Sequence, residues 1–208
     1  MGKIGDSELI INSDGSVFHL HIRPENLADK VILVGDPGRV DLVSSYFSDI
    51  ESTSSSREFR SVTGHYWGTR FTVLSTGIGC DNIDIVMNEL DALANIDFST
   101  REIKPVRRKL TMLRIGTCGV IQPDIPLGSY VFSKVSAGFD GLLNWYGDRD
   151  AAVMKDVEEA FLAHMDWNKY LPIPYFVKAS DELTSLFKDC TVPGMTVSAS
   201  GFYGPQCR

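Results

Sequence analysis

Five short apolar runs, at residues 31–34, 71–75, 110–115, 130–133 and 195–199, are bounded by Gly, Asp or Pro and are rich in β-branched residues. That pattern predicts strands covered on both faces, because a strand with one wet face would alternate apolar and polar positions. Between the second and third runs, Ile83, Val86, Met87, Leu90, Leu93 and Ala94 recur at helical spacing, with Asp81 placed to cap the N-terminus. Val153, Val157, Phe161 and Met165 form another helical stripe within residues 151–165. Strands alternating with helices predict an α/β fold on a largely parallel or mixed sheet. The 208 residues suffice for one such domain, spanning 1–208, with a buried core. Residues 52–56 are all Ser or Thr and read as a polar surface loop.

Composition narrows the partners. Hydrophobic residues make up 43% and charged residues 23%, as in ordinary globular domains. A net charge of −7 argues against a nucleic-acid surface or an anionic membrane surface, though a few arginines gathered in one pocket would still bind a small anion. No apolar run approaches the roughly 18–20 residues of a membrane helix. Cys80, Cys118, Cys190 and Cys207 lack the close pairing of a zinc or redox motif, which predicts reduced thiols in the cytoplasm. Arg101, Lys104, Arg107, Arg108 and Lys109 gather in residues 99–109 around Pro105; with no aromatic residues between them, they read as a solvated insertion.

Candidate chemistry lies where strands end. The run 31–34 opens into Gly35-Asp36-Pro37-Gly38-Arg39-Val40. Gly35 lets a ligand approach the backbone, and the following helix would aim its N-terminal amides at an anion. Arg39, in the first helical turn, gains nothing from the macrodipole but would grip a bound phosphate. In Leu113-Arg114-Ile115-Gly116-Thr117-Cys118-Gly119, Arg114 sits inside an apolar strand, where an unpaired charge would be costly, so an anion should face it. Ser75-Thr76-Gly77-Ile78-Gly79 repeats the strand-to-small-residue pattern but lacks the Lys-Ser/Thr of a P-loop. Near the end, an extended chain would point Gln206 and Arg208 the same way. Their donors and acceptor match the edge of uracil, with Phe202 available to stack.

In order, Val17-Phe18-His19-Leu20, Gly35-Asp36-Pro37-Gly38-Arg39-Val40, Arg57-Glu58-Phe59, Ser75-Thr76-Gly77-Ile78-Gly79, the segment 113–119 and Phe202-Tyr203-Gly204-Pro205-Gln206-Cys207-Arg208 resemble the uridine phosphorylase branch of the nucleoside phosphorylase family. The resemblance implies a three-layer α/β/α fold with a central mixed, twisted sheet, assembled as dimers into a hexamer. It implies that Gly35, Arg39, Arg114 and Thr117 hold inorganic phosphate, joined by Arg57 from a neighbouring subunit. That neighbour's His19 would reach the ribose, which Thr117 also contacts. Gly119, Phe202, Gln206 and Arg208 would surround the base. The implied reaction is phosphorolysis of uridine to uracil and ribose 1-phosphate, with phosphate as co-substrate and neither metal nor organic cofactor. Arg114, Thr117, Gln206 and Arg208 would be its catalytic residues.

Relatives continue past the base-reading motif with a strand bearing a Met-Glu pair for the ribose hydroxyls, then further strands and a long helix. The fold is therefore expected to be C-terminally incomplete. Cys207 stands where relatives commonly have Gly. Alternatives open at this point are a catalytically incompetent nucleoside-binding protein, and a nucleosidase or purine nucleoside phosphorylase of the same fold.

Overall fold

The computed structural model describes residues 3–206. It divides into two compact units, residues 1–117 and 118–208.

The first unit contains β1 (Lys30–Val34), α1 (Pro37–Ser44), β2 (Ser48–Ser56), β3 (Phe59–Tyr66), β4 (Thr69–Ser75), α2 (Cys80–Asn95), β5 (Ile96–Asp97), β6 (Glu102–Ile103) and β7 (Thr111–Ile115). Five of these strands form a mixed sheet in the order β2-β3-β4-β1-β7. β1 runs parallel to both β4 and β7, whereas β2, β3 and β4 are joined antiparallel. Alternation along the strands feeds two cores. Val31 and Leu33 pack with Leu74, Val86, Leu90 and Leu93, so α2 covers one face. Val34 and Val73 pack with Val40 and Val62, so α1 covers the other. Each large apolar side chain buried this way contributes about 1.5–3 kcal/mol.

Three local expectations change. Residues 52–56 belong to β2, an edge strand whose wet exposure suits Ser and Thr, rather than to a loop. The N-cap of α2 is Gly79 at φ 102°, so Asp81 lies inside the first turn. The basic stretch 99–109 is a clamp rather than a solvated insertion. Arg101 donates to the carbonyls of Ile4, Gly5 and Leu9. Lys104 donates to the Ala94 carbonyl at the end of α2, where a cation also suits the helix dipole. Arg108 pairs with Asp29.

The second unit contains β8 (Val131–Gly138), α3 (Arg149–Ala152), α4 (Lys155–His164), β9 (Tyr175–Lys178), α5 (Asp181–Phe187) and β10 (Val192–Ser198). β8 is the middle strand of three, parallel to β10 and antiparallel to β9. The helix expected over 151–165 is broken at Val153 and Met154, whose backbones leave helical geometry. Arg149 bridges the break to Glu158. Phe161 carries α4 onto an aromatic cluster with Phe139, Trp167 and Phe176, at centroid distances of 5.6, 5.6 and 5.4 Å.

Candidate phosphate site and base-reading segment

In the first unit three parallel strands stop level with one another. Val34 pairs with Ser75 on one side and Ile115 on the other. Beyond those residues come Gly35, Thr76-Gly77 and Gly116-Thr117, a row of small groups at the carboxyl ends of the strands, where open α/β sheets receive ligands. The row is fixed by backbone bonding, since the Thr76 amide donates to the Val34 carbonyl at 2.8 Å. Gly77 adopts φ +66°, and a β-carbon there would lie 2.7 Å from both Asn82 Nδ2 and Glu58 Cγ, so conformation and space both demand glycine.

Arg114 lies over this row. Its Nη1 is 2.7 Å from the position a β-carbon would take on Gly116, and its Nη2 is 3.8 Å from the equivalent point on Gly35. The guanidinium thus folds across two glycines that leave room for it. The sequence argument placed Arg114 in a desolvated strand. Instead β7 is the edge of its sheet and Arg114 is exposed. No carboxylate of the described residues pairs with it.

Arg39 and Arg57 share that condition. Arg23, Arg60, Arg70, Arg101, Arg108 and Arg149 each meet a carboxylate. Among the described residues Arg39, Arg57, Arg107 and Arg114 meet none, and Arg107 belongs to the basic stretch 99–109. Arg39 is half-buried in the first turn of α1. Arg57 is exposed at the two-residue turn between β2 and β3, where Ser56 pairs with Phe59. Its φ of 55° is one that glycine usually supplies in such turns. A strained, exposed arginine is consistent with a role beyond its own hairpin.

The N-terminus of α1 differs from expectation. Pro37 has no N–H, Gly38 N donates to Asp36 Oδ1 at 2.7 Å, and Arg39 N donates to the Asp36 carbonyl at 3.1 Å. The first amides are already satisfied by the capping aspartate. The helix end therefore does not offer these amides to an anion, contrary to the expectation from sequence. Thr117 follows β7 by two residues and is exposed.

His19 brings in a residue that the sequence reading missed. Its ring Nδ1 lies 2.6 Å from Oε1 of Glu89, a buried carboxylate on α2. The signal was present, because Glu89 falls three residues after Val86 and four before Leu93, on the buried stripe of the helix.

In the second unit Gly119 lies in an exposed segment outside regular structure. Phe202 packs edge-on against Tyr203 with centroids 5.4 Å apart, and keeps 58% of its surface exposed. Gly204–Gln206 form a 3-10 turn instead of the extended chain expected, closed by Gln206 N donating to the Tyr203 carbonyl at 3.0 Å. Pro205 presets a helical φ there. Gln206 is exposed on this turn; Arg208 and Cys207 lie outside the described residues. Among the described residues no group of three or more His, Cys, Asp and Glu side chains comes together as a metal site requires, and no helix is long and apolar enough to cross a membrane.

Known proteins resemble this chain in sequence and in fold. A uridine phosphorylase of Thermococcus kodakarensis is 28% identical over 206 residues, covering 99% of this chain and 63% of its own length. A guanosine phosphorylase of Halorubrum lacusprofundi is 31% identical over 140 residues, covering 67% of this chain and 52% of its own. The chain thus spans between half and two thirds of these relatives. In three dimensions it superimposes on a Trypanosoma brucei nucleoside phosphorylase, described as showing uridine phosphorylase activity, with a TM-score of 0.79 and 30% identity over 96% of this chain and 71% of that one. The mixed sheet with helices is the nucleoside phosphorylase fold. Residues 29–207 match the phosphorylase superfamily, and the chain belongs to that family.

Proposed function

We propose that this protein is a nucleoside phosphorylase whose substrate is uridine, cleaved by inorganic phosphate to uracil and ribose 1-phosphate. The observation that carries the reading is the row of strand ends, with Arg114 laid across Gly35 and Gly116 and meeting no carboxylate among the described residues. Such a place suits a small, highly charged anion. Phosphate is an anionic nucleophile already, so no strong general base is required to create one. Its oxygen attacks C1′ as the C1′–N1 bond breaks, and the bonding pair leaves with uracil. The transition state resembles an oxocarbenium ion, as in glycoside cleavage. Gly35, Arg39, Arg114 and Thr117 position the phosphate. Charge on the departing base is met by Gln206 and Arg208, with Phe202 stacked on the ring and Gly119 lining its surroundings. No metal or organic cofactor enters this scheme.

Uridine is preferred over purine nucleosides because Gln206 offers both a donor and an acceptor to an imide edge. In the same reading the protein is a cytoplasmic homo-oligomer, a hexamer built of dimers. Arg57 and His19 then serve a neighbouring subunit's phosphate and ribose, which gives Arg57, strained and meeting no carboxylate among the described residues, a task. The two compact units are read together as one family domain, a reading supported by a family match that runs through both.

The test is uracil release from uridine with and without phosphate. Release that needs phosphate supports the reading, whereas equal release without it indicates a hydrolase. Faster turnover of inosine than uridine overturns the choice of base. Calorimetric binding of uridine and phosphate without turnover identifies an incompetent binding protein.

A further inference from the structure

Glu89 is 8% exposed and lies on the apolar face of α2 with Val86, Leu90 and Leu93. A carboxylate so placed is costly unless several donors reach it. All its donors come from one short turn. The backbone N–H of His19 donates to Oε1 at 3.0 Å, and that of Leu20 donates to Oε2 at 2.9 Å. The His19 ring Nδ1 completes the set at 2.6 Å from Oε1. The turn is fixed from other directions as well, because Val17, Leu20 and Ile22 are buried in the core beneath it. Phe18 packs edge-on against the His19 ring with centroids 4.8 Å apart.

An ionised carboxylate only accepts hydrogen bonds, so His19 Nδ1 must carry the proton in this pair. In a neutral imidazole the lone pair then resides on Nε2. Nε2 has no hydrogen-bond partner among the described residues, and the side chain keeps 29% of its surface exposed. The two bonds to backbone amides matter as much as the ring bond. They fix the carboxylate relative to the same residue whose ring it orients, so ring and turn form one rigid unit.

We propose that Glu89 is a positioning residue that locks His19 as its Nδ1–H tautomer and so makes Nε2 a hydrogen-bond acceptor for a sugar hydroxyl. This rests on the reading above in which His19 serves the ribose. The consequence is a preference set by proton direction: the sugar must donate. A 5′-hydroxyl does so, whereas a 5′-deoxy sugar has nothing to offer and a 5′-O-methyl group can only accept.

Two measurements test this. Nitrogen-15 spectra of the imidazoles at mildly alkaline pH, with the His19 signals assigned by their loss in His19→Gln, report the tautomer directly. The expected result is a protonated Nδ1 and a bare Nε2 in the unmodified protein, moving toward Nε2–H in Glu89→Gln, whose amide can donate to Nδ1. A protonated Nε2 in the unmodified protein overturns the proposal, even if the variant does not fold. Kinetics then separate positioning from mere stability. Glu89→Gln should lower kcat/KM for uridine by roughly tenfold, the scale of one hydrogen bond, and leave 5′-deoxyuridine nearly untouched. Equal losses on both substrates overturn it. If the unmodified protein turns over neither nucleoside, the phosphorolysis reading fails, while the spectrum still decides the tautomer.

Discussion

Arg114 Nη1 lies 2.7 Å from where a β-carbon would stand on Gly116, the residue just past the end of β7. The contact is with the far end of a flexible side chain, so Gly116→Ala should be tolerated by the fold and resented by the site. The expected outcome is a melting temperature within a few degrees of the unmodified protein, with the KM for phosphate raised about tenfold or more, since a misplacement near 1 Å can cost far more than that in rate. Phosphate titration at saturating uridine, beside a thermal melt, checks both halves. A large loss of stability with phosphate KM unchanged would show that the glycine serves packing alone.

How much of this was legible beforehand depends on where each residue sits in the sheet. β1 and β4 are central, covered by α1 and α2, and their apolar runs marked them at once. β2 escaped because an edge strand rich in serine carries no apolar signal. β7 is a strand as its apolar run predicts, yet its edge position leaves Arg114 exposed, so the burial argument for an anion does not apply. The amides of α1 were assigned to a ligand because sequence alone does not show that Asp36 already occupies them. Gln206 lies on a turn and not on the extended chain expected, because Gly204-Pro205 carry the local chemistry of a turn. Glu89 stands on an apolar helical stripe, but the donors that stabilise it there come from His19 and Leu20, remote in sequence.

Separate roles for Arg114 and Gln206 make the next prediction. Arg114 is exposed and forms no ion pair with the described residues, so Arg114→Ala should alter stability by no more than about 0.5 kcal/mol. It should nevertheless reduce kcat/KM for phosphate by roughly 10²–10³, the usual loss for one electrostatic donor at a reacting centre. Gln206→Ala should do the reverse, weakening discrimination between uridine and inosine while leaving phosphate KM nearly unchanged. Full kinetics varying each substrate in turn would show it. Matching losses in both variants would mean that the two residues do not have separate tasks.

A buried hydroxyl chain offers a test of the fold rather than the site. Thr63 Oγ1 donates to the Asn26 carbonyl at 2.7 Å, leaving Thr72 Oγ1 to donate to it at 2.8 Å and to accept from Ala28 N at 2.9 Å. Thr72 is fully buried, so Thr72→Val leaves the Ala28 amide without a partner and without water. Denaturant titration should show a loss of about 1–3 kcal/mol. Thr72→Ser, which keeps the oxygen and gives up a methyl group, should lose about 1 kcal/mol and so the smaller part of that.

The last prediction concerns the N-terminal segment, which Arg101 holds from a distance in sequence. Its Nε donates to the Ile4 carbonyl at 2.8 Å and its Nη2 to that of Gly5 at 2.9 Å and to that of Leu9, while its own carbonyl accepts from Ile4 N at 2.9 Å. Asp6 lies within 3.2 Å but is almost wholly exposed, so the ion pair contributes little and the carbonyl bonds dominate. Arg101→Ala should therefore release residues 4–9 without unfolding the sheet. Limited proteolysis and hydrogen exchange should find that segment cut and exchanged faster, while the amides of β1 and β4 stay protected. Arg101→Lys should recover little of this, because one ammonium cannot span carbonyls that a planar guanidinium reaches together. Equal protection of residues 4–9 in all forms would show that apolar contacts, not Arg101, hold the segment down.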